Sequence, residues 1–551
     1  MKILTAAEMR ETDRLTIERG MTSATLPSAT QPSIALMENA GRAVASFVQR
    51  QHGAWSCVTV LCGKGNNGGD VCVAARLLAE HGWVVTLLLL CQPDSLAGDA
   101  ATMFTRFRED APYAKLVIAD SEAALDGEEA GEAFASAELF LDAVLGTGFK
   151  PPLRGVAVAV REKLATLKTP VIAVDLPSGW DADSMEQSSP DAFRASAVVT
   201  FTAPKLAHVF GHLTSPDAAG AVVVAPIGSP EDTIRSATGV VWSGSSKAVA
   251  EAPRPINSNK GKFGHALLIG GAWGKAGAPS MAALAALRAG AGLVTAAVPL
   301  SIVNTVARVA PELMIHPLDE TTRDGARGGS VSRANLNPAN LDAMLKKITV
   351  LAIGPGLSTE PEAAEFARGI VQRTKLPIVV DADALNAFEG RAHELNGSGR
   401  TMVLTPHPGE MARLTGLSVK EVEADRVGLA RSFATEHHLT LVLKGWRTLV
   451  AHPDGTIAVN TTGNPSMAKG GSGDILTGII AAMLAQFPHQ VADAVNTAVY
   501  LHGLAADFAV RDQEEHTVLA TDTVAHLWQA FRARVNDEDG LTWICGLASA
   551  R

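Results

Sequence analysis

Short apolar runs that each end in a polar or glycine-rich loop recur along this chain, and they constrain its fold more than any other feature. Residues 58–62 and 171–175 are typical of strands that are buried on both faces of a parallel sheet. Helix-length segments separate such runs, as they do in βαβ units. The runs fall into two series, before and after residues 229–255. The sequence therefore predicts an α/β protein with two doubly wound domains.

Length and composition agree with two domains. A chain of 551 residues is too long for one ordinary hydrophobic core, and its 47% hydrophobic content suits a well-buried protein. Glycine, serine and proline are concentrated around residues 229–255, which we interpret as a linker. The predicted domains are therefore residues 1–228 and 256–551.

Charge and cysteine patterns exclude several classes of protein. The net charge is −10 without any block of Lys and Arg, so nucleic acid is not expected as a partner. The longest apolar run, residues 84–90, is too short to cross a membrane, and charged residues interrupt any signal peptide near the N-terminus. Five cysteines without Cys-x-x-Cys spacing suit a reducing compartment. We expect a soluble, cytoplasmic protein.

The first series contains a glycine-rich loop, residues 63–70 (Gly-Lys-Gly-Asn-Asn-Gly-Gly-Asp), between a strand and a helix. This arrangement is typical of a phosphate cradle, although it matches neither the G-x-G-x-x-G nor the Walker pattern; a tight turn is the alternative. Asn67, Asp142 and Ser178 follow three parallel-type strands, whose carboxyl ends meet at one edge of a sheet. Singly each would be a cap or turn residue. Together they predict hard oxygen ligands for a monovalent or Mg-like cation.

The second series contains residues 464–474 (Asn-Pro-Ser-Met-Ala-Lys-Gly-Gly-Ser-Gly-Asp), directly before an apolar, helix-length run, 475–484. Bare peptide N–H groups at a helix start attract phosphate or a developing oxyanion. The carboxylate of Asp474 opposes anion binding, which suggests a chemical role such as removing a proton from a hydroxyl group. The alternative is that Asp474 caps the helix.

Other strand ends in this series carry candidate residues with open alternatives. His407 lies between two prolines and is either structural or a ligand contact. Lys444 and Arg447 offer positive charge to a nucleotide phosphate, or form a solvated surface pair. Asp381 and Asp383 either hold magnesium through water or cap the following helix.

Both halves resemble known families. Residues 63–70, 141–148 and 175–179 resemble the NAD(P)H-hydrate epimerase domain. Residues 259–261, 354–356, 407–410 and 464–474 resemble the nucleotide-dependent NAD(P)H-hydrate dehydratase domain, which has a ribokinase-like fold. Their order and fusion resemble the bacterial bifunctional nicotinamide nucleotide repair enzymes. The resemblance implies a Rossmann-like epimerase domain followed by a ribokinase-like, ADP-dependent dehydratase domain.

The resemblance also implies site residues. The hydrate in the epimerase domain would be held by Asn66, Asn67, Gly68, Gly69, Asp70, Gly146, Thr147, Gly148, Phe149, Lys150, Pro151, Pro152 and Asp175. Potassium would be held by Asn67, Asp142 and Ser178. The hydrate in the dehydratase domain would be held by Ala278, Gly356, His407 and Asp474, and the nucleotide by Lys444, Gly445, Trp446, Arg447, Thr448 and Gly473. One departure is Trp273, because many relatives carry a tyrosine before the Gly-Ala pair.

The implied chemistry assigns a role to both aspartates. The first domain would interconvert the R and S hydrates, with Asp175 as the candidate acid/base. The second would convert the S hydrate to NADH or NADPH: Asp474 takes the proton of the ring hydroxyl, ADP phosphorylates that hydroxyl, and phosphate then leaves. Magnesium is expected with the nucleotide, and a homo-oligomer is expected. The alternatives are an ATP-dependent kinase of a vitamin or sugar fused to a nucleotide-sensing module, and a first domain that is a non-catalytic scaffold.

Overall fold

A computed structural model describes residues 1–19, 31–53, 57–214, 220–323 and 326–547 of the chain. It divides into two compact units, Met1–Thr238 together with Val535–Arg551, and Gly239–Arg534. Within the described residues no helix combines the length and the low polarity that crossing a bilayer requires.

The strands are short and most are fully buried. In chain order they are β1 Cys57–Cys62, β2 Val84–Leu89, β3 Lys115–Ile118, β4 Leu139–Ala143, β5 Val171–Val174, β6 Ala197–Phe201, β7 Val222–Ala225, β8 Val240–Trp242, β9 His265–Ile269, β10 Leu293–Pro299, β11 Met314–Leu318, β12 Glu320–Arg323, β13 Ala326–Val331, β14 Val350–Ile353, β15 Ile378–Val380, β16 Met402–Leu404, β17 Thr440–Leu443, β18 Leu449–Ala451, β19 Ile457–Val459 and β20 Thr542–Cys545.

Helices fill most of the connections. In chain order they are α1 Ala6–Arg19, α2 Pro32–His52, α3 Asn66–Glu80, α4 Gly98–Asp110, α5 Glu122–Leu125, α6 Glu128–Ala135, α7 Val156–Ala165, α8 Leu206–Phe210, α9 Gly277–Arg288, α10 Val303–Val306, α11 Pro338–Leu345, α12 Pro361–Arg373, α13 Ala382–Asn386, α14 Pro408–Thr415, α15 Val419–Ala424, α16 Arg426–Glu436, α17 Ser472–Gln486, α18 Val491–Asp512 and α19 Ala520–Arg532.

The described residues of the first unit form a sheet with the order β20-β7-β6-β5-β4-β1-β2-β3. All neighbouring pairs are parallel except β20 with β7. The chain runs outward from β1 to β3 and then restarts with β4 on the other side of β1. This reversal of strand order creates a crevice at the carboxyl ends of β1 and β4, where ligands bind in open parallel sheets.

Both faces of this sheet are covered, which explains why its strands are apolar without alternation. Val60 belongs to one buried cluster together with Val73 of α3, whereas the next residue, Leu61, belongs to a second cluster with Phe134 of α6. Successive side chains of a strand point to opposite faces, so the two clusters are the two cores of a doubly wound sheet.

The second unit has its own sheet, with the order β11-β10-β9-β14-β15-β16-β17-β18-β19-β8 in the described residues. The pairs from β11 to β17 are parallel, and β18 pairs antiparallel with both neighbours. The strand order reverses between β9 and β14. Helices α9 and α17 pack against each other, and α17 lies against β9 and β14 beneath this second crevice. The prediction of two doubly wound α/β domains is confirmed.

The bounds of the units differ from the predicted domain bounds of 1–228 and 256–551. Part of the predicted linker, 229–255, is structured: β8 pairs with β19 in the second-unit sheet. Residues from 535 onward return to the first unit, where β20 pairs with β7 and Trp543 packs against Phe47. These strands are three and four residues long and lie beside glycine, serine or charged residues, so their hydrophobic pattern is too short to detect.

Candidate active sites

The glycine-rich loop of the first unit lies in the crevice between β1 and β4. It leaves β1 at Gly63 and enters α3 at Asn66. A Cβ on Gly68 would lie 2.0 Å from the carbonyl oxygen of Gly63, so the turn closes on itself only with glycine at this position. The loop therefore brings the first turn of α3 against the end of β1.

Asn67, Asp142 and Ser178 come together around Leu145, as the sequence predicts. Asn67 Nδ2 donates to the Leu145 carbonyl at 3.2 Å, and Ser178 Oγ accepts from the Leu145 N–H at 2.8 Å. Ser178 donates to Asp142 through its hydroxyl at 2.5 Å and its N–H at 2.8 Å. One cluster of oxygen atoms from three strand ends results.

This cluster fits a hard monovalent cation. Asn67 Oδ1 is buried, and no described residue donates a hydrogen bond to it. Asp142 is fully buried, and that burial raises the pKa of its carboxyl to about 6 despite hydrogen bonds from Ser178 and Val144. The free amide oxygen of Asn67 would coordinate a bound cation, and the charge of the cation would stabilise the Asp142 carboxylate.

Asp175 lies next to this cluster with its backbone in the left-handed region, at φ +68°. Such a conformation is strained for a residue with a side chain and is concentrated at functional sites. Its Oδ2 accepts from the Thr147 N–H at 3.1 Å, and a Cβ on Gly146 would lie 3.4 Å from Oδ2 and 3.3 Å from the Asn67 side chain. Asp175, Asn67 and the Gly146–Thr147 turn thus border one site.

The remaining residues predicted to hold the hydrate occupy varied surroundings. Gly69 and Asp70 follow Gly68 in the first turns of α3, and burial raises the pKa of Asp70 well above its usual range. The Phe149 N–H donates to the Gly146 carbonyl at 3.0 Å, which closes the turn around Gly148. Lys150 points its ammonium to Asp181 and Asp183, at 2.7 and 2.9 Å, and Pro151 and Pro152 are exposed beside it.

Three residues around Asp175 were missed from the sequence: Thr200, Lys205 and His208. The Thr200 hydroxyl and the Lys205 ammonium both donate to Asp175 Oδ1 at 2.9 Å. His208 Nε2 lies 2.7 Å from the Asp175 carbonyl oxygen. Lys205 follows the carboxyl end of β6, so the strand-end rule could have found it. No sequence signal indicates His208.

In the second unit the glycine-rich loop ends where α17 begins. Gly471 is the N-cap residue at φ +97°, and Ser472, Gly473 and Asp474 form the first turn. The peptide N–H groups of such a turn have no partner within the helix. Lys444 adds positive charge here, because its Nζ would lie 3.4 Å from a Cβ on Gly473. The start of α17 is therefore suited to binding an anion.

Asp474 is not a helix cap. The N-cap position belongs to Gly471, and no described residue donates a hydrogen bond to the Asp474 carboxyl. Burial, followed by the negative charge of Asp381, raises the pKa of Asp474 to about 7, although Lys444 acts in the opposite direction. A carboxyl that titrates near neutrality is well matched to general-base catalysis.

Asp381 holds the surrounding strand ends together. Its carboxyl is almost completely buried; Oδ1 accepts from Thr405 Oγ1 at 2.7 Å and from Lys444 Nζ at 3.0 Å, and Oδ2 accepts from Thr477 Oγ1 of α17 at 2.7 Å. The predicted capping role is not seen, because the Asp381 side chain makes no capping hydrogen bond at the start of α13. Asp381 is instead the buried counter-charge of Lys444.

The described residues contain no group of three or more His, Cys, Asp or Glu arranged to hold a metal directly. The contact of Asp381 and Asp383 with magnesium through water stays a prediction. Asp383 Oδ2 is also engaged, by the Ser358 N–H at 2.9 Å and by Lys275 at 3.2 Å.

Two of the four residues predicted to line the hydrate site of this unit, Ala278 and Gly356, lie together where β9 and β14 end. A Cβ on Gly356 would lie 3.0 Å from the Cβ of Ala278 at the start of α9 and 3.3 Å from the Cβ of Lys275. Trp273 is exposed in the same loop, and its N–H donates to the Gly329 carbonyl at 3.1 Å. The loop that departs from the family pattern thus packs against the hairpin of β12 and β13.

His407 caps a helix, and its predicted contact with the hydrate stays a prediction. Its Nδ1 accepts from the Gly409 N–H at 3.0 Å and caps α14, while the Glu410 carboxylate accepts from the His407 N–H at 2.8 Å. Because Nδ1 accepts, the neutral ring carries its proton on Nε2, and half of the side chain remains exposed. The Nε2 atom lies 3.5 Å from Glu410 Oε1.

The predicted nucleotide segment, residues 444–448, follows β17. The Arg447 guanidinium lies 4.5 Å from the ring centre of Trp446 and donates to the Thr461 carbonyl at 2.7 Å, and Thr448 Oγ1 donates to the Gly445 carbonyl at 3.2 Å. Lys444 is ion-paired with Asp381. Lys444 and Arg447 are therefore not a solvated surface pair, and Trp446 offers a partly exposed ring.

Family models match both units. Residues 33–207 match the family described as YjeF-related protein N-terminus, and residues 266–528 match the family described as NAD(P)H-hydrate dehydratase.

Similar proteins cover nearly the whole chain. A protein of Moorella thermoacetica named bifunctional NAD(P)H-hydrate repair enzyme is 39% identical over 96% of both chains. A protein of the same name from Escherichia coli is 34% identical over 87% of this chain and 86% of its own. A solved structure of ADP/ATP-dependent NAD(P)H-hydrate dehydratase from Bacillus subtilis, co-crystallised with ATP and Mg²⁺, is 29% identical over 54% of this chain and 99% of its own, with a TM-score of 0.44.

Replacing Asp381 by alanine is expected to destabilise the second unit by about 3 kcal/mol, because Lys444 would lose its nearest carboxylate, at 3.0 Å, and keep the more distant Glu410, at 3.7 Å. Hydrogen exchange with peptide mapping measures this loss separately in each unit. The control is Asp342→Ala, an exposed position on α11 that is expected to change stability by less than about 0.5 kcal/mol. Equal protection in the two variants would contradict the role given to Asp381.

Proposed function

Because the chain belongs to the family of bifunctional NAD(P)H-hydrate repair enzymes, we propose that its first unit interconverts the R and S hydrates and its second unit dehydrates the S hydrate. One observation carries the second assignment: the Asp474 carboxyl lies in the first turn of α17, beside the anion-binding N–H groups and Lys444. A kinase acting on a vitamin or sugar would leave the cluster of Asn67, Asp142 and Ser178 without a purpose.

In the second unit, the first turn of α17 and Lys444 bind the phosphates of ADP. Both carry positive charge, whereas Asp381, Asp383, Glu410 and Asp474 make the rest of the site acidic. Magnesium then enters with the nucleotide, as is usual for an ion that keeps several water ligands and binds substrate phosphates. The segment 444–448 holds the rest of the nucleotide, and Trp446 offers its ring to the adenine.

Asp474 removes the proton of the substrate hydroxyl while the oxygen of that hydroxyl attacks the β-phosphorus of ADP. The bond between the α–β bridging oxygen and that phosphorus breaks, and AMP leaves. The N–H groups of the α17 turn stabilise the charge of the transferring phosphoryl group. Loss of phosphate from the phosphorylated hydrate, with a proton from the neighbouring ring carbon, restores NADH or NADPH. The products are AMP, phosphate and the repaired cofactor. Ala278, Gly356 and His407 orient the hydrate.

Replacing Asp474 by asparagine should lower the turnover of the S hydrate by about 10²–10⁴-fold, because the base is lost while the shape of the site is kept. The affinity for ADP should stay within a few-fold, since Lys444 and the helix start remain. Calorimetry measures the affinity, and recovery of the dihydronicotinamide absorbance measures the turnover. Retained turnover would exclude Asp474 as the base.

The rate at which the wild type dehydrates the S hydrate should depend on pH. The base works in its ionised form, and the pKa of Asp474 is about 7, so the rate should fall about tenfold per pH unit below pH 7.

In the first unit, Asp175 exchanges a proton with the hydroxyl group of the bound hydrate. Inverting the carbon that carries this hydroxyl by breaking its bond to oxygen or to the ring nitrogen requires proton transfer at the hydroxyl oxygen. Asp175 Oδ2 faces the turn at Gly146 and Thr147, and the first turn of α3 with Asn66, Gly68 and Asp70 closes the other side. The loop from Phe149 onward shields the site.

Replacing Asp175 by asparagine should slow epimerisation of the R hydrate by at least about 100-fold. Chromatography of the two hydrates without nucleotide measures this step alone, and added ADP then tests dehydration of the S hydrate, which should be unchanged. Asp126→Asn, an exposed carboxylate of the same unit, is the matched control. Normal epimerisation by the Asp175 variant would remove this residue from the mechanism.

We also infer that Asn67, Asp142 and Ser178 hold potassium, which would orient the hydrate through its oxygen atoms. The free Asn67 oxygen and the buried Asp142 carboxyl support this assignment. Potassium chloride should then raise the unfolding temperature of the first unit above its value in choline chloride of equal concentration. The difference should disappear in Asp142→Asn. Equal midpoints of the wild type in both salts would exclude the site.

A further inference from the structure

Asp175 is held from one side by Thr200, Lys205 and His208, which lie at the end of β6 and in α8. None of these contacts belongs to the site predicted from the sequence. Thr200 and Lys205 both donate to Oδ1. The other oxygen, Oδ2, accepts from the Thr147 N–H on the opposite side. One oxygen is therefore occupied by buried donors, while the other faces the loop that borders the proposed hydrate site.

His208 fixes the backbone of this arrangement without adding charge. Its Nδ1 accepts from the Lys205 N–H at 3.0 Å, so the ring proton is on Nε2, which donates to the Asp175 carbonyl. The residue is completely buried, and burial lowers the pKa of His208 to about 4. A neutral ring at physiological pH thus ties the strained backbone of Asp175 to the start of α8.

Lys205 supplies the positive charge of this arrangement. The residue is almost completely buried, and its ammonium contacts Asp175 Oδ1 at 2.9 Å, Thr200 Oγ1 at 2.8 Å and the Phe201 carbonyl at 3.4 Å. These three contacts use all three N–H donors of the ammonium, so none remains for a substrate. The Lys205 backbone is also anchored, because Leu4 forms a bridge beside it and donates to the Pro204 carbonyl at 3.0 Å.

Asp175 needs a nearby positive charge to stay ionised, because it is buried beside other carboxyl groups. Asp13 of α1 and Asp70 of α3 are the further carboxyl groups that act on this cluster, and burial raises the pKa of both, that of Asp13 to about 6. Burial also acts to raise the pKa of Asp175, but the charge of Lys205, together with the hydrogen bonds from Lys205 and Thr200, lowers it below its usual value. Without Lys205, burial would raise the pKa of Asp175, as it does for Asp13 and Asp70.

We propose that Lys205 is the positioning residue of the first site: it clamps Asp175 Oδ1 and keeps the carboxyl ionised, so that Oδ2 can accept a proton from the hydrate. This inference rests on the proposed epimerase function of the first unit. Lys205 touches Asp175 and not the substrate, so it controls the pH range in which epimerisation proceeds.

The test is the pH dependence of R-hydrate epimerisation by the full chain, without nucleotide, for the wild type and Lys205→Met. Methionine keeps the length of the side chain and removes its charge. The acid limb of the profile should move up by about 1–3 pH units, the usual effect of an opposite charge at this distance. Lys205→Arg retains a positive charge and should keep the acid limb near its wild-type position. Lys115→Met removes an exposed lysine of the same unit and should change nothing.

Two readouts separate this effect from misfolding and from failure of the proposed function. Dehydration of the S hydrate with ADP reports the second unit of the same molecule, and hydrogen exchange of the peptides covering β6 and α8 reports the first. If Lys205→Met does not fold, Thr200→Val removes one donor to Oδ1 and should still raise the acid limb, by about one pH unit. An unmoved acid limb in a folded variant overturns the role of Lys205. A wild-type chain that does not epimerise overturns the proposed function instead.

Discussion

The ion pair between Asp381 and Lys444 is the interaction on which the second site depends. A carboxylate this deeply buried is tolerated only when donors satisfy both of its oxygens, and Thr405, Lys444 and Thr477 do so. These donors come from the ends of β16 and β17 and from α17. The same contacts that neutralise one buried charge therefore fix the glycine-rich start of α17 and hold a cation beside it. Anion binding and the placement of Asp474 follow from this one constraint.

The first unit also contains an ion pair between a lysine and a buried aspartate, but the role of its aspartate differs. There Lys205 pairs with Asp175, the proposed catalytic group itself, whereas in the second unit the lysine pairs with Asp381 and leaves Asp474 without a hydrogen-bond donor among the described residues. The pKa of Asp175 is accordingly lowered, and the pKa of Asp474 is raised to about 7 by burial and the nearby carboxylate. Environment, not residue type, sets the two protonation states.

The sequence predicts those parts of the fold whose hydrophobic signal is local. Strands such as β1 and β5 are buried on both faces and read as continuous apolar runs, so their bounds are predicted to within a residue or two. The strands β8, β18 and β20 are only three or four residues long and were not predicted. Their membership in a sheet depends on partners far along the chain. The predicted domain bounds depart from the compact units for the same reason.

Predicting the sites from the sequence has a similar limit. The strand-end rule locates Asn67, Asp142 and Ser178, and the structure brings these residues together, because loops at the ends of neighbouring parallel strands must converge. The rule cannot predict that Lys205 reaches Asp175, since that contact depends on a side-chain distance between two elements. A carboxylate paired with an ammonium is a weak base that stays ionised over a wide pH range. One that titrates near neutrality is a stronger base but is ionised only above its pKa. Epimerisation should therefore tolerate acid better than dehydration, although the proposed proton acceptor at both sites is an aspartate that follows a glycine-rich or strand-end motif.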